Sequence, residues 1–138
     1  MFPSKRIPRL SNTKGQIEAQ ISEAIIKFEK EYMGRGPVET KTYIIEDIIL
    51  VRLKGVITRA EHHLATSGDA GRGRELIKQT RMELIEKARP LLESVIESIV
   101  GQAVLSLHTD ISTRTGERVI IFTLEKGPSL GDGGNSNG

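Results

Sequence analysis

The stretch RGRELIKQTRMELIEKARPLLESVIESIV, Arg72 to Val100, decides the fold. Its apolar residues Leu76, Ile77, Leu84, Ile85, Ala88, Leu91, Leu92, Val95, Ile96 and Ile99 recur at steps of one, three, four or seven. That spacing paints one stripe on a helix of 3.6 residues per turn. At 1.5 Å per residue the helix is about 43 Å long, enough to lie across a whole small sheet. Gly101 follows, the residue type that most readily takes the left-handed conformation closing a helix. Pro90 sits inside, removing one backbone donor and crowding the carbonyl four residues earlier, so a kink is expected there.

Upstream, Ile17, Ile21, Ala24, Ile25, Phe28 and Tyr32 fall at three- and four-residue steps, with Glu18, Glu23, Lys27, Glu29 and Lys30 among the intervening positions. A first helix is therefore expected, capped by Ser11, Asn12 or Thr13 and stopped by Gly34-Arg35-Gly36-Pro37. Val38 to Ile45 and Ile48 to Val56 are β-branched and apolar enough for two strands around the polar pair Glu46-Asp47. Ile48 to Val51 is apolar on both faces, which suggests an interior strand covered by helices on one side and a partner subunit on the other.

Thr58-Arg59-Ala60-Glu61 has the capping-box pattern of a short helix reaching about Thr66. Ser67 to Gly73, with three glycines in seven residues, is expected to be a mobile loop. After the long helix, Gln102 to Ile111 and Arg118 to Glu125 form a second hairpin, in which Ile120 to Leu124 is apolar on both sides and central. The expected fold class is α+β: a two-layer domain with a four-stranded, mainly antiparallel sheet of two hairpins. The long kinked helix, an N-terminal helix and a short helix pack on it. The domain spans 14–126, between a flexible basic leader at 1–13 and a disordered Gly/Ser/Asn/Asp-rich tail at 127–138.

A chain of 138 residues is one domain on size. Cysteine is absent, which excludes disulfides and thiolate metal sites and suits a reducing cytoplasm. No apolar run approaches the roughly 18 residues of a membrane span. A net charge of +2 is too small to argue for a nucleic-acid binder. Met1 to Lys14 carries Lys5, Arg6, Arg9 and Lys14 without an acid; the stretch reads as a flexible basic leader, with an arm binding anionic lipid or nucleic acid as the alternative.

Two polar groups stand out. Arg74, Lys78 and Arg81 share a face at i, i+4 and i+7, with Arg72 just upstream, whereas the later half of the helix is acidic. Cations around a positive helix end oppose the dipole, which suits an anion site formed by Arg72, Arg74, Lys78 and Arg81. The competing reading is a face whose cations pair with acids elsewhere in the fold or in a second subunit. His108 and Asp110 share a strand face, with Thr113 and Arg114 in the turn beyond, as a polar site or as a solvated face with turn-forming residues. His62 and His63 are adjacent and point apart on a helix, so no metal site is expected from them. No nucleophile elbow, metalloprotease helix or dinucleotide fingerprint is present, so neither an enzyme nor a bound cofactor is expected.

Several strings resemble the small bacterial MpsC-like (YbcI-like) family. They are Gly34-Arg35-Gly36-Pro37, the run Val51 to Thr58 leading to Glu61, the run Gly73 to Arg81, and the run Leu107 to Glu117. The similarity covers roughly Lys14 to Glu125, and one departure is Arg59, where relatives often carry proline. The resemblance implies association with a sodium-translocating, membrane-potential-generating system whose other components are linked to inorganic-carbon uptake. The expected function is a non-enzymatic cytoplasmic accessory or regulatory subunit, homodimeric and peripheral at the inner face of the membrane. The alternatives are a module binding a small anion, bicarbonate or a phosphometabolite, and nucleic-acid binding through the leader.

Overall fold

The computed structural model describes residues 12–131. Most of the basic leader, including Lys5, Arg6 and Arg9, and the end of the tail lie outside the described residues. The elements run α1 (Lys14–Tyr32), β1 (Glu39–Ile45), β2 (Ile48–Lys54), α2 (Arg59–Thr66), α3 (Ala70–Val100), β3 (Val104–Ile111) and β4 (Arg118–Leu124). The fold is the α+β class expected.

Local chemistry sets each helix end. Thr13 starts α1 through a reciprocal cap: its hydroxyl accepts the Gln16 N–H at 3.2 Å, while the Gln16 side chain accepts the Thr13 N–H at 2.8 Å. Thr58 and Glu61 repeat that device at α2, at 3.1 and 2.9 Å. The helix α3 is one uninterrupted element through Pro90, and Gly101 closes it at φ 73°. Its residues Ile85, Ala88, Leu92, Ile96 and Val100 join the core formed with the sheet and α1, and Ile77 is buried on the same stripe.

The glycine-rich stretch departs from the mobile loop expected at Ser67 to Gly73. The Asp69 carboxylate accepts the Arg72 N–H at 3.1 Å, so α3 begins at Ala70 and both Gly71 and Gly73 are helical. At Gly73 the helix crosses α2 so closely that a Cβ would stand 1.8 Å from the Leu64 carbonyl oxygen. Glycine here serves a backbone-to-backbone approach.

The sheet order is β1-β2-β4-β3, antiparallel throughout. The two-faced apolar runs thus occupy the interior strands, β2 and β4. Ile44, Ile49, Val51, Leu53, Leu107, Ile120, Phe122 and Leu124 join the helices in the core. Helix α1 also guards the β1 edge: the Glu18 carboxylate accepts the Ile44 N–H at 2.9 Å, and the Ser22 and Thr42 hydroxyls meet at 2.8 Å. Leu130, near the end of the described chain, packs partly buried against the core.

Candidate functional site

Three charged residues stand where the apolar stripes call for hydrocarbon. Glu29 continues the i+4 ladder Ile17–Ile21–Ile25; Arg81 sits between Ile77 and Ile85; Arg118 alternates with Ile120, Phe122 and Leu124. All three are buried, at 0, 3 and 2 % exposure, and they meet where α1, α3 and β4 converge. Glu29 lies 3.6 Å from Arg118 Nε and 4.0 Å from Arg81 Nη1.

Helix α2 brings the fourth member, Glu61. Arg81 donates to it from Nε at 2.9 Å and Nη2 at 2.7 Å, and Nη2 also reaches the Val56 carbonyl at 2.9 Å. This is the bidentate geometry a guanidinium offers a carboxylate. Arg118 donates from Nη1 to the Thr109 hydroxyl at 3.0 Å, and that hydroxyl donates to the Val119 carbonyl at 2.8 Å. Both Glu29 oxygens, Arg118 Nε and Nη2, and Arg81 Nη1 have no hydrogen-bond partner among the described residues. The centre of the network is paired by charge and not by hydrogen bonds.

Burial therefore dominates the protonation of Glu29. It pushes the carboxyl above the usual carboxylate range, outweighing the attraction of Arg118 and Arg81, while Glu61 pushes the same way. Burial likewise pulls Arg118 downward by more than Glu29 restores. At the half-buried Glu61, burial acts upward but the hydrogen bonds from Arg81 and Thr58 hold the carboxyl below its ordinary value.

Two clefts open above this network, between α3 and the β3–β4 hairpin. One, of about 470 Å³, is lined by Lys78, Arg81, Thr109, Asp110 and Arg118. The other, of about 500 Å³, is lined by Arg74, Lys78, Asp110, Thr113 and Arg114. The Lys78–Asp110 ion pair, at 3.2 Å, borders both.

The four cations Arg72, Arg74, Lys78 and Arg81 do not converge on one point. Arg72 is exposed at the helix start, where the Asp69 carboxylate already occupies the first-turn amide. Arg74 lines the second cleft and donates to the Ala65 carbonyl at 3.3 Å, Lys78 pairs with Asp110, and Arg81 is buried. The structure instead merges the two groups singled out in the sequence, placing Arg74 and Lys78 beside Asp110, Thr113 and Arg114. His108 stands apart from these: its Nε2 lies 3.1 Å from the Ser106 hydroxyl, while Asp110 accepts from the Ile111 N–H and Lys78. The rings of His62 and His63 are tilted, 6.5 Å apart. The sequence reading does not propose Glu29 or Arg118 as site residues, although a charge in phase with a buried stripe is a signal visible in the sequence; Glu61 is visible there only as the capping-box residue of α2.

Fold and site together define a small two-layer α+β protein whose one helical layer closes over a buried ion network. The chain belongs to the MpsC family, described as "Na+-translocating membrane potential-generating system (MpsC)", whose profile matches residues 13–126. It is 47% identical over 115 residues to "Uncharacterized protein YbcI" of Bacillus subtilis (strain 168), covering 83% of this chain and 90% of the relative. It is 25% identical over 111 residues to "Uncharacterized protein YrhF" of the same organism, covering 78% and 86%. No solved structure matches the chain.

Proposed function

We propose that the protein is a non-enzymatic accessory subunit of a membrane ion-translocating system, held at the inner face of the membrane by contact with integral partners. The observation that carries this reading is membership of a family described by such a system. The geometry supports it in two ways. No helix among the described residues is long and apolar enough to cross a membrane, so a part in that system runs through surface contact. The charges beneath the clefts are engaged chiefly with one another, as in a scaffold that holds α1, α2, α3 and the sheet in one arrangement. Capture of the tagged full-length chain from mildly solubilised native membranes tests the reading. Integral ion-translocating subunits are expected in the captured complex; a chain recovered without any integral membrane protein contradicts it.

A second reading rests on the cleft where Arg74, Lys78 and Arg114 gather. Three cations against the two carboxylates Asp110 and Glu117, around a space of about 500 Å³, leave an excess of positive charge that suits a small oxyanion such as bicarbonate or a phosphorylated metabolite. Calorimetric titration with bicarbonate and with inorganic phosphate tests it. Binding heat that disappears in the Arg74→Ala/Lys78→Ala/Arg114→Ala variant supports the anion module, and no heat from the unmodified chain removes it.

A further inference from the structure

The helices cover one face of the sheet. On the other face the strand register sets side chains in rows. The middle row runs Tyr43–Leu50–Ile121–His108 across β1, β2, β4 and β3. One flanking row is Ile45–Ile48–Thr123–Ser106, the other is Lys41–Arg52–Val119–Asp110, and beyond the latter Glu39 lies opposite Lys54. The face therefore has an aliphatic and aromatic middle, exposed at Tyr43 (39 %) and at the flanking Ile45 (53 %), and one charged border: Lys41 and Arg52 lie at the β1 side next to the Glu39–Lys54 pair, and Asp110 lies at the β3 edge, with one oxygen turned to Lys78 of α3.

We propose that this face docks on the same face of a second copy of the chain, with a two-fold axis parallel to the strands between β2 and β4. The inference stands on the sheet geometry and is independent of the membrane reading above.

Such an axis lays β1 over the second copy's β3 and β2 over its β4, keeping each row opposite itself in reverse order. Leu50 then meets the partner's Ile121, and Ile121 the partner's Leu50. In the charged row Lys41 faces the partner's Asp110 at both ends. Lys41 has no ion-pair partner among the described residues, and the Asp110 carboxylate, 74 % exposed, uses one oxygen on Lys78. Arg52, which meets Val119 in this arrangement, is already neutralised by Glu117 at 2.7 Å.

A two-fold axis running across the strands gives the opposite result. It lays Lys41 and Arg52 over Ile45 and Ile48, desolvating cations against hydrocarbon without compensation. Pairing through the sheet edges is obstructed as well. Carboxylates accept the edge amides of Ile44 (Glu18), Val104 (Glu97) and Ile111 (Asp110), at 2.9, 2.8 and 2.8 Å. Stacked sheets sit about 10 Å apart, a gap that side chains of this size fill. Four strands of seven or eight residues give a footprint of about 20 by 25 Å. That is small against the roughly 800 Å² per partner of a standard interface, so association is concentration-dependent.

Sedimentation velocity of the full chain over a wide concentration range tests the proposal. Dimer is expected, with Leu50→Glu converting it to a folded monomer and Met82→Glu on α3 leaving it unchanged. Where Leu50→Glu fails to fold, Tyr43→Glu on the outer strand supplies the same readout. Lys41→Asp is expected to weaken the dimer about tenfold or more, and Lys41→Asp/Asp110→Lys to regain most of that loss by restoring the cross-pair in reverse. A chain that stays monomeric at every concentration overturns the proposal. So does a dimer that survives the folded Leu50→Glu or Tyr43→Glu variant, or a charge-reversed pair with no recovery.

Discussion

Glu29 and Arg118 lie 3.6 Å apart where α1 meets β4, both sealed from solvent, and no hydrogen bond joins them. The pair is a charge contact in the middle of an aliphatic core, with Arg81 completing it from α3 at 4.0 Å. Such a pair costs desolvation on both sides, and at each partner burial outweighs the attraction between them. Its loss is therefore asymmetric: removing one partner is far worse than removing both.

Arg118→Met leaves the Glu29 carboxylate buried with its nearer cation gone. Urea unfolding is expected to show a loss of about 3–5 kcal/mol. Glu29→Met/Arg118→Met is expected to be more stable than Arg118→Met alone, because Arg81 keeps its bidentate partner Glu61. A double variant as unstable as the single one contradicts the pairing.

The direction of two carboxyl shifts gives a pH signature. Burial holds Glu29 above its ordinary 4.5, so the folded chain binds this proton more tightly than the unfolded chain. Its contribution is full below 4.5 and is lost as pH rises through the folded-state value. The stability of the unmodified chain relative to Glu29→Gln should accordingly decline as pH is raised above 4.5. Glu61, burial notwithstanding, is held below 4.5 by Arg81 and Thr58, so its contribution is present above 4.5 and lost as pH falls through its lowered value. The advantage over Glu61→Gln should shrink on acidification, the mirror of the first result.

Gly73 and Gly71 provide a matched pair on one helix. Alanine is the better helix former by about 1 kcal/mol, so both substitutions carry the same intrinsic gain. At Gly73, however, the new methyl meets the Leu64 carbonyl oxygen at 1.8 Å and α2 must move; at Gly71 its nearest neighbours are 3.8 Å away. Thermal unfolding should show Gly73→Ala destabilised by about 1–3 kcal/mol, and Gly71→Ala unchanged or slightly stabilised.

The Lys78–Asp110 pair that borders both clefts is expected to matter little to folding. Its side chains are 44 and 74 % exposed, where solvent screens the attraction. Lys78→Ala should cost less than about 1 kcal/mol in denaturant unfolding. A larger loss would place this pair in the load path of the fold beside Arg81.

The fold was readable because its signals are local and periodic. The Ile17–Ile21–Ile25 ladder, the Thr58 capping box, the apolar stripe from Arg72 to Val100 and the two-sided apolar strands each depend on spacing within one element. The glycine-rich start of α3 misled for a physical reason. Glycine is as useful for close helix crossing as for a flexible turn, and only the position of Leu64 distinguishes the two. The ion network depends on residues far apart in the chain, Glu29, Glu61, Arg81 and Arg118, so no window along the sequence contains it. What a window does contain is the anomaly that marks it, a charge in step with a buried stripe. Arg81 was grouped with Arg74 and Lys78 by helical spacing, but the turn of α3 between Ile77 and Ile85 points it inward.

The proposed service of this chain to an ion-translocating membrane system is measured most directly by the sodium-dependent part of the membrane potential. Cells lacking the protein, followed with a potential-sensitive dye with and without external sodium, should lose part of the sodium-dependent component and recover it when the unmodified chain is restored. A sodium-dependent potential that is the same with and without the protein would contradict the account.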